Sequence, residues 1–172
     1  MSGDSAGGHL AISLLRYISE TEELLPSPRA ALLWSPPVDI VGMSSYLTQS
    51  SASKPSSSGL HINAKTDYLD DTFLSWSVSA FSDGGNVDIK DQYLTQLGSP
   101  FKTGAKIWLH IGGLERLAKE GLEWAEEMKG EGNQVEVFVE KLANHDIVYL
   151  GNITGFEKEA EKAAKAAGQY VR

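Results

Sequence analysis

With 172 residues, 41% of them hydrophobic and 22% charged, the chain has the length and composition of one globular domain. A net charge of −8 excludes the basic footprint that nucleic acid or an anionic membrane surface demands. The absence of cysteine excludes disulfides, thiolate metal sites and a cysteine nucleophile, and fits a reducing compartment.

No apolar run approaches the roughly 18 residues of a membrane span, so stable membrane insertion is not expected. Met1-Ser2-Gly3-Asp4-Ser5 shows neither the basic nor the apolar region of a signal peptide, which favours the cytoplasm.

In chain order, residues 5–20 read as a helix, with Leu10, Ile12, Leu14, Leu15 and Ile18 making it apolar on most faces, as in a buried helix. Residues 30–34 form a short apolar run stopped by Pro36-Pro37, the signature of a buried parallel strand. Residues 44–58 are serine-rich and aperiodic and read as an exposed loop. Residues 67–81 read as a helix with Tyr68, Phe73, Trp76 and Phe81 as bulky contacts, followed by a turn at residues 83–86.

The last third alternates. Residues 106–111 read as a strand and 117–128 as a helix with Leu117, Leu122, Ala125 and Met128 inward. Residues 135–139 read as another strand. Thr154-Gly155-Phe156-Glu157 reads as a capping box opening a final helix to about residue 167. Strands separated by helices predict βαβ units, hence a three-layer α/β/α fold around a parallel sheet.

Gly3-Asp4-Ser5-Ala6-Gly7 fits the G-x-S-x-G nucleophile elbow, in which a strained strand-to-helix turn lifts a serine hydroxyl above the sheet. The helix N-terminus behind Ser5 favours a developing oxyanion, with the Ala6 N–H as the expected donor. Five small residues alone equally fit a glycine-rich helix cap. The longer string Gly3-Asp4-Ser5-Ala6-Gly7-Gly8-His9-Leu10-Ala11 is more specific. It resembles the elbow of the α/β-hydrolase fold-3 family, the hormone-sensitive-lipase-type carboxylesterases of microbes and fungi.

An elbow in this fold requires an acid and then a histidine in chain order. His145 lies in a loop beyond the strand at 135–139, where a general base can reach the serine. The acid belongs after the strand at 106–111, in Gly112-Gly113-Leu114-Glu115-Arg116-Leu117. The resemblance puts Glu115 at the acid position, with Leu117, Glu120 and Gly121 also matching. Arg116 and Lys119 depart from the family's commonest pattern, which leaves Glu120 as the competing acid.

The other histidines carry weaker expectations. His9 is expected to pack or make a polar contact beside the site, and His61 to be exposed or to line an acyl pocket. His110 is expected as a satisfied core residue. Trp34, Trp76, Trp108 and Trp124 read first as core, with Trp76 and Phe73 as alternative cap-lining residues. No two histidines have metal-ligand spacing and no glycine loop suits phosphate, so no metal and no cofactor are expected.

The resemblance covers essentially the whole chain but about half of a family member, lacking the HGGG-type loop that completes the oxyanion hole. It implies a partial α/β-hydrolase fold: a single truncated domain over residues 1–172, with residues 39–91 as a cap-like insert and loops. The three strands would be the sixth to eighth of that fold, with the strand delivering Ser5 reduced to Met1-Ser2 and the elbow deprived of strained support. The implied function is a serine hydrolase acting on small-molecule esters of small or medium acyl length. The alternative is a non-catalytic fragment that self-associates through an exposed sheet edge.

Overall fold

The computed structural model describes residues 1–21, 25–49 and 58–172. Four strands, β1 (Ser2–Asp4), β2 (Ala30–Trp34), β3 (Lys106–Gly112) and β4 (Val135–Glu140), form one sheet in the order β1-β2-β3-β4. Every neighbouring pair is parallel, with Gly3 opposite Leu33, Leu33 opposite Leu109 and Leu109 opposite Val137. The strand ahead of Ser5 is therefore formed over three residues, and the sheet has four strands where the sequence predicted three.

The helices cover both faces. On one, α1 (Ser5–Glu20) and α5 (Ala118–Gly130) close a core of Ile12, Leu15, Leu33, Ile107, Leu109, Trp124 and Met128. On the other, α7 (Glu157–Tyr170) lies over Trp34 and Trp108 through Ala163 and Ala167. A third cluster, Ile40, Met43, Tyr46, Leu60, Leu69, Leu74 and Leu117, joins α2 (Ile40–Thr48), α3 (Gly59–Ile62) and α4 (Asp71–Phe81) to the start of α5.

Several local expectations change. In α1, Ile12, Leu15 and Ile18 are buried, but Leu10 and Leu14 are exposed, so the helix buries one face. In α5, Trp124 takes an inward place and Leu122 faces out. The serine-rich stretch is helical up to Thr48. Asp39 accepts the Gly42 N–H at 2.7 Å as N-cap, and Ile40, Met43 and Tyr46 turn inward. Residues 50–57 of that predicted loop lie outside the described residues.

The helix expected from residue 67 begins at Asp71, because Asp70 caps it by accepting the Phe73 N–H at 2.7 Å. The predicted capping box is instead the end of another helix, α6 (Ile147–Thr154). Thr154 turns its hydroxyl back to the Leu150 carbonyl at 3.0 Å, and Gly155 ends the helix in the left-handed region at φ 85°. No helix of the described residues is long and apolar enough to cross a membrane.

Candidate active site

All four strands point their carboxyl ends toward one rim, so each following loop delivers a side chain to the same place. After β1 comes Ser5, the first residue of α1, held at φ 47° in the left-handed region. A non-glycine residue there carries strain of about 1–3 kcal/mol. Gly3 permits the turn: a Cβ on it would fall 2.2 Å from the Gly7 carbonyl oxygen. The elbow is thus strained and closely packed, contrary to the expectation that it had lost its support.

Glu115 follows β3 and is fully buried; His145 follows β4 and is 2% exposed. His145 Nδ1 lies 3.2 Å from Glu115 Oε2, and its Nε2 lies 2.8 Å from Ser5 Oγ. The structure therefore brings the three predicted side chains into one hydrogen-bonded line. Glu120 is directed elsewhere: its Oε1 accepts the Gly59 N–H at 3.1 Å and it lines a separate cavity with Asp39 and Glu123. Ala6 sits in the first turn of α1, whose N–H groups have no acceptor within the helix, and it borders the same pocket as Ser5.

Electrostatics couple the line. Burial pushes the Glu115 carboxyl up, while the hydrogen bond and charge of His145 and the nearby Ser35 hydroxyl pull it back. Burial would lower His145, but Glu115, Asp67 and Asp146 outweigh it and hold the imidazole above its ordinary value. Proton uptake at Nε2 is thereby favoured at the nitrogen facing the hydroxyl.

Ser5 opens on an apolar cavity of about 320 Å³ whose wall includes Met43, Leu69, Phe73, Leu74, Trp76 and Phe81. Trp76 and Phe73 belong to this wall and not to the core, whereas Trp34, Trp108 and Trp124 are buried. His9 is buried beside it, its Nδ1 2.9 Å from the Pro37 carbonyl and its ring edge-on to Phe81. His61 is exposed. His110 is fully buried, but neither ring nitrogen has a hydrogen-bond partner, unlike the satisfied core histidine expected.

Two residues with a place at the site escaped the sequence. Ser35 follows β2 at φ 49°, fully buried, and its Oγ accepts the Asp146 N–H at 3.3 Å. Its sequence signal is hidden beside Pro36-Pro37, where it reads as a strand stop. Asp67 accepts the Arg116 N–H at 2.7 Å and the His145 N–H at 3.4 Å. In sequence it passes for an acidic residue opening a helix.

The comparisons agree with this architecture. A solved esterase of the bacterial hormone-sensitive lipase family is similar at 19% identity and a TM-score of 0.78. A hormone-sensitive lipase from a metagenome library is similar at 23% and 0.77, and an esterase/lipase from an uncultured bacterium at 20% and 0.77. Each likeness covers 99% of this chain and 51% of the other, so the chain spans about half the length of these structures. No curated protein matches it. The family model described as alpha/beta hydrolase fold matches residues 1–149, from the elbow through the His145 loop into α6. The chain belongs to the alpha/beta hydrolase fold family, the one its elbow string resembles.

Proposed function

We propose that this chain carries the catalytic machinery of a serine carboxylic-ester hydrolase for small or medium acyl esters, with Ser5 as nucleophile, His145 as general base and acid, and Glu115 as the orienting acid. The observation that supports the reading is the line Ser5 Oγ–His145 Nε2, His145 Nδ1–Glu115 Oε2, at 2.8 and 3.2 Å, beside an apolar cavity. Ser5 Oγ attacks the ester carbonyl carbon as His145 Nε2 takes its proton. The resulting oxyanion faces the Ala6 N–H and the positive end of α1. Collapse of the tetrahedral intermediate breaks the carbonyl–alkoxy bond, and the imidazolium protonates the departing alcohol. Water, deprotonated by His145, then releases the acid and restores Ser5.

The cavity supports the substrate range: about 320 Å³ with an aromatic wall suits a short or medium acyl chain. Incubation with a fluorophosphonate probe, followed by mass mapping, tests the assignment, alongside hydrolysis of a p-nitrophenyl ester series of increasing acyl length. Labelling at Ser5, lost in Ser5→Ala, is expected. A folded wild-type chain that leaves Ser5 unlabelled overturns the proposal.

A further inference from the structure

The stretch between α3 and α4 is tied to both loops that meet at Ser5. Asn63 donates to the Glu115 carbonyl at 2.8 Å, and Thr66 donates to the Leu114 carbonyl at 2.9 Å. The Tyr68 hydroxyl donates to the His145 carbonyl at 3.1 Å. Arg116, one of the two departures from the family pattern, anchors the same stretch from within. It is 1% exposed and donates to the Leu60 and Leu69 carbonyls at 2.8 and 2.9 Å. It also pairs with Asp71 at 2.7 Å.

Asp67 holds the central place. One carboxylate oxygen accepts the Arg116 N–H of the acid turn, and the other accepts the His145 N–H. Glu115 and His145 stand 30 residues apart on separate loops, and their side chains meet through one 3.2 Å contact. The Leu114 N–H joins the two loops by donating to the Ala143 carbonyl at 2.9 Å, and the two-oxygen fork adds a second tie at the residues that flank the Glu115–His145 contact itself. A misplacement of about 1 Å in such a site costs about 10²-fold in rate.

We propose that Asp67 is a positioning residue whose carboxylate spans the acid turn and the histidine loop and fixes the Glu115–His145 spacing. The proposal rests on the hydrolase reading for its kinetic consequence and on the backbone contacts for its structural one. The groups facing His145 are Glu115 from the acid turn, Asp67, Tyr68, Asp146 of its own loop and His110 of β3. The Asp67 charge helps to hold the imidazole up; its removal lowers that value, which a purely structural role would leave alone.

The test is Asp67→Asn in the full chain, followed by NMR titration of the His145 ring, exchange of the Arg116 and His145 amides, and the rate of Ser5 labelling against pH. The expected result is a lower His145 pKa, faster exchange at the amide left facing the Asn NH2 group, and labelling slowed by between about 10- and 100-fold, with its acid limb at lower pH. Wild-type titration, exchange and labelling in a folded Asp67→Asn chain overturn the proposal. If the wild type is not labelled but Asp67→Asn still shifts the His145 titration and the amide exchange, the hydrolase reading fails and the clasp stands. Should Asp67→Asn not fold, amide exchange in the wild-type chain decides: protected Arg116 and His145 amides are expected, and exchange at the rate of a free amide at both overturns the proposal.

Discussion

Replacing Glu115 by glutamine separates charge from shape at the centre of the line. The carboxylate sits 3.2 Å from His145 Nδ1 and is fully buried. At an effective dielectric of about 20, its attraction for an imidazolium at that distance is about 5 kcal/mol. That attraction exists where His145 carries the Ser5 proton and vanishes while the imidazole is neutral, so it acts on the transition state. Losing it predicts a kcat about 10³–10⁴ lower with KM little changed, matching the scale of losing the orienting acid in a related triad. Folding stability should move the other way. Burial disfavours the Glu115 charge, so Glu115→Gln should unfold no earlier than the wild type. Glu120→Ala is the control: Gly59 N–H loses an acceptor, at a cost of about 1 kcal/mol in stability, with rates near wild type. Ester hydrolysis, Ser5 labelling and urea unfolding measure all three quantities. A crippled Glu120→Ala beside a mild Glu115→Gln would refute the reasoning and move the acid to Glu120.

The left-handed Ser5 makes Ser5→Gly more stable than Ser5→Ala by about 1 kcal/mol, both inactive; equal unfolding midpoints would show that the elbow is not strained. Burial holds the His110 imidazole down to about 4. Its contribution to stability is therefore complete above pH 6.5 and is lost as pH falls toward 4, by about 3 kcal/mol. His110→Leu should flatten that acid limb in thermal melts, and an unchanged limb would discount the imidazole. Trp76 lines the Ser5 cavity from an exposed position, so Trp76→Ala should shift ester preference toward longer or bulkier acyl groups without a loss of fold. An unaltered chain-length profile would remove Trp76 from the pocket wall.

Much of the frame was legible where one residue's surroundings are its sequence neighbours. The runs Ala30–Trp34, Lys106–Gly112 and Val135–Glu140 lie between breakers and stand as parallel strands. The elbow string singles out Ser5, chain order points to His145, and the family resemblance supplies Glu115; the structure brings the three side chains together. What escaped depends on distant partners or on a misleading composition. The serines of α2 obscured Asp39 and the inward set Ile40, Met43 and Tyr46. Thr154 and Glu157 have capping-box spacing, but the hydroxyl is taken by Leu150 and the turn by Gly155. Ser35 and Asp67 owe their places to backbone amides 111 and 78 residues away, which no local pattern encodes.

The way α7 lies on the sheet has a consequence for how the molecule comes apart. Its fully buried anchors are Ala163 and Ala167, side chains of one methyl group each, set against Trp34 and Trp108. At about 0.8 kcal/mol per buried methylene-sized group, they hold the helix far less firmly than Ile12, Leu15, Trp124 and Met128 hold the opposite layer. Elements with few large apolar contacts open first under mild stress. Shedding α7 wets two indoles packed 4.7 Å apart, so tryptophan emission shifts to the red while the parallel sheet and the elbow remain assembled.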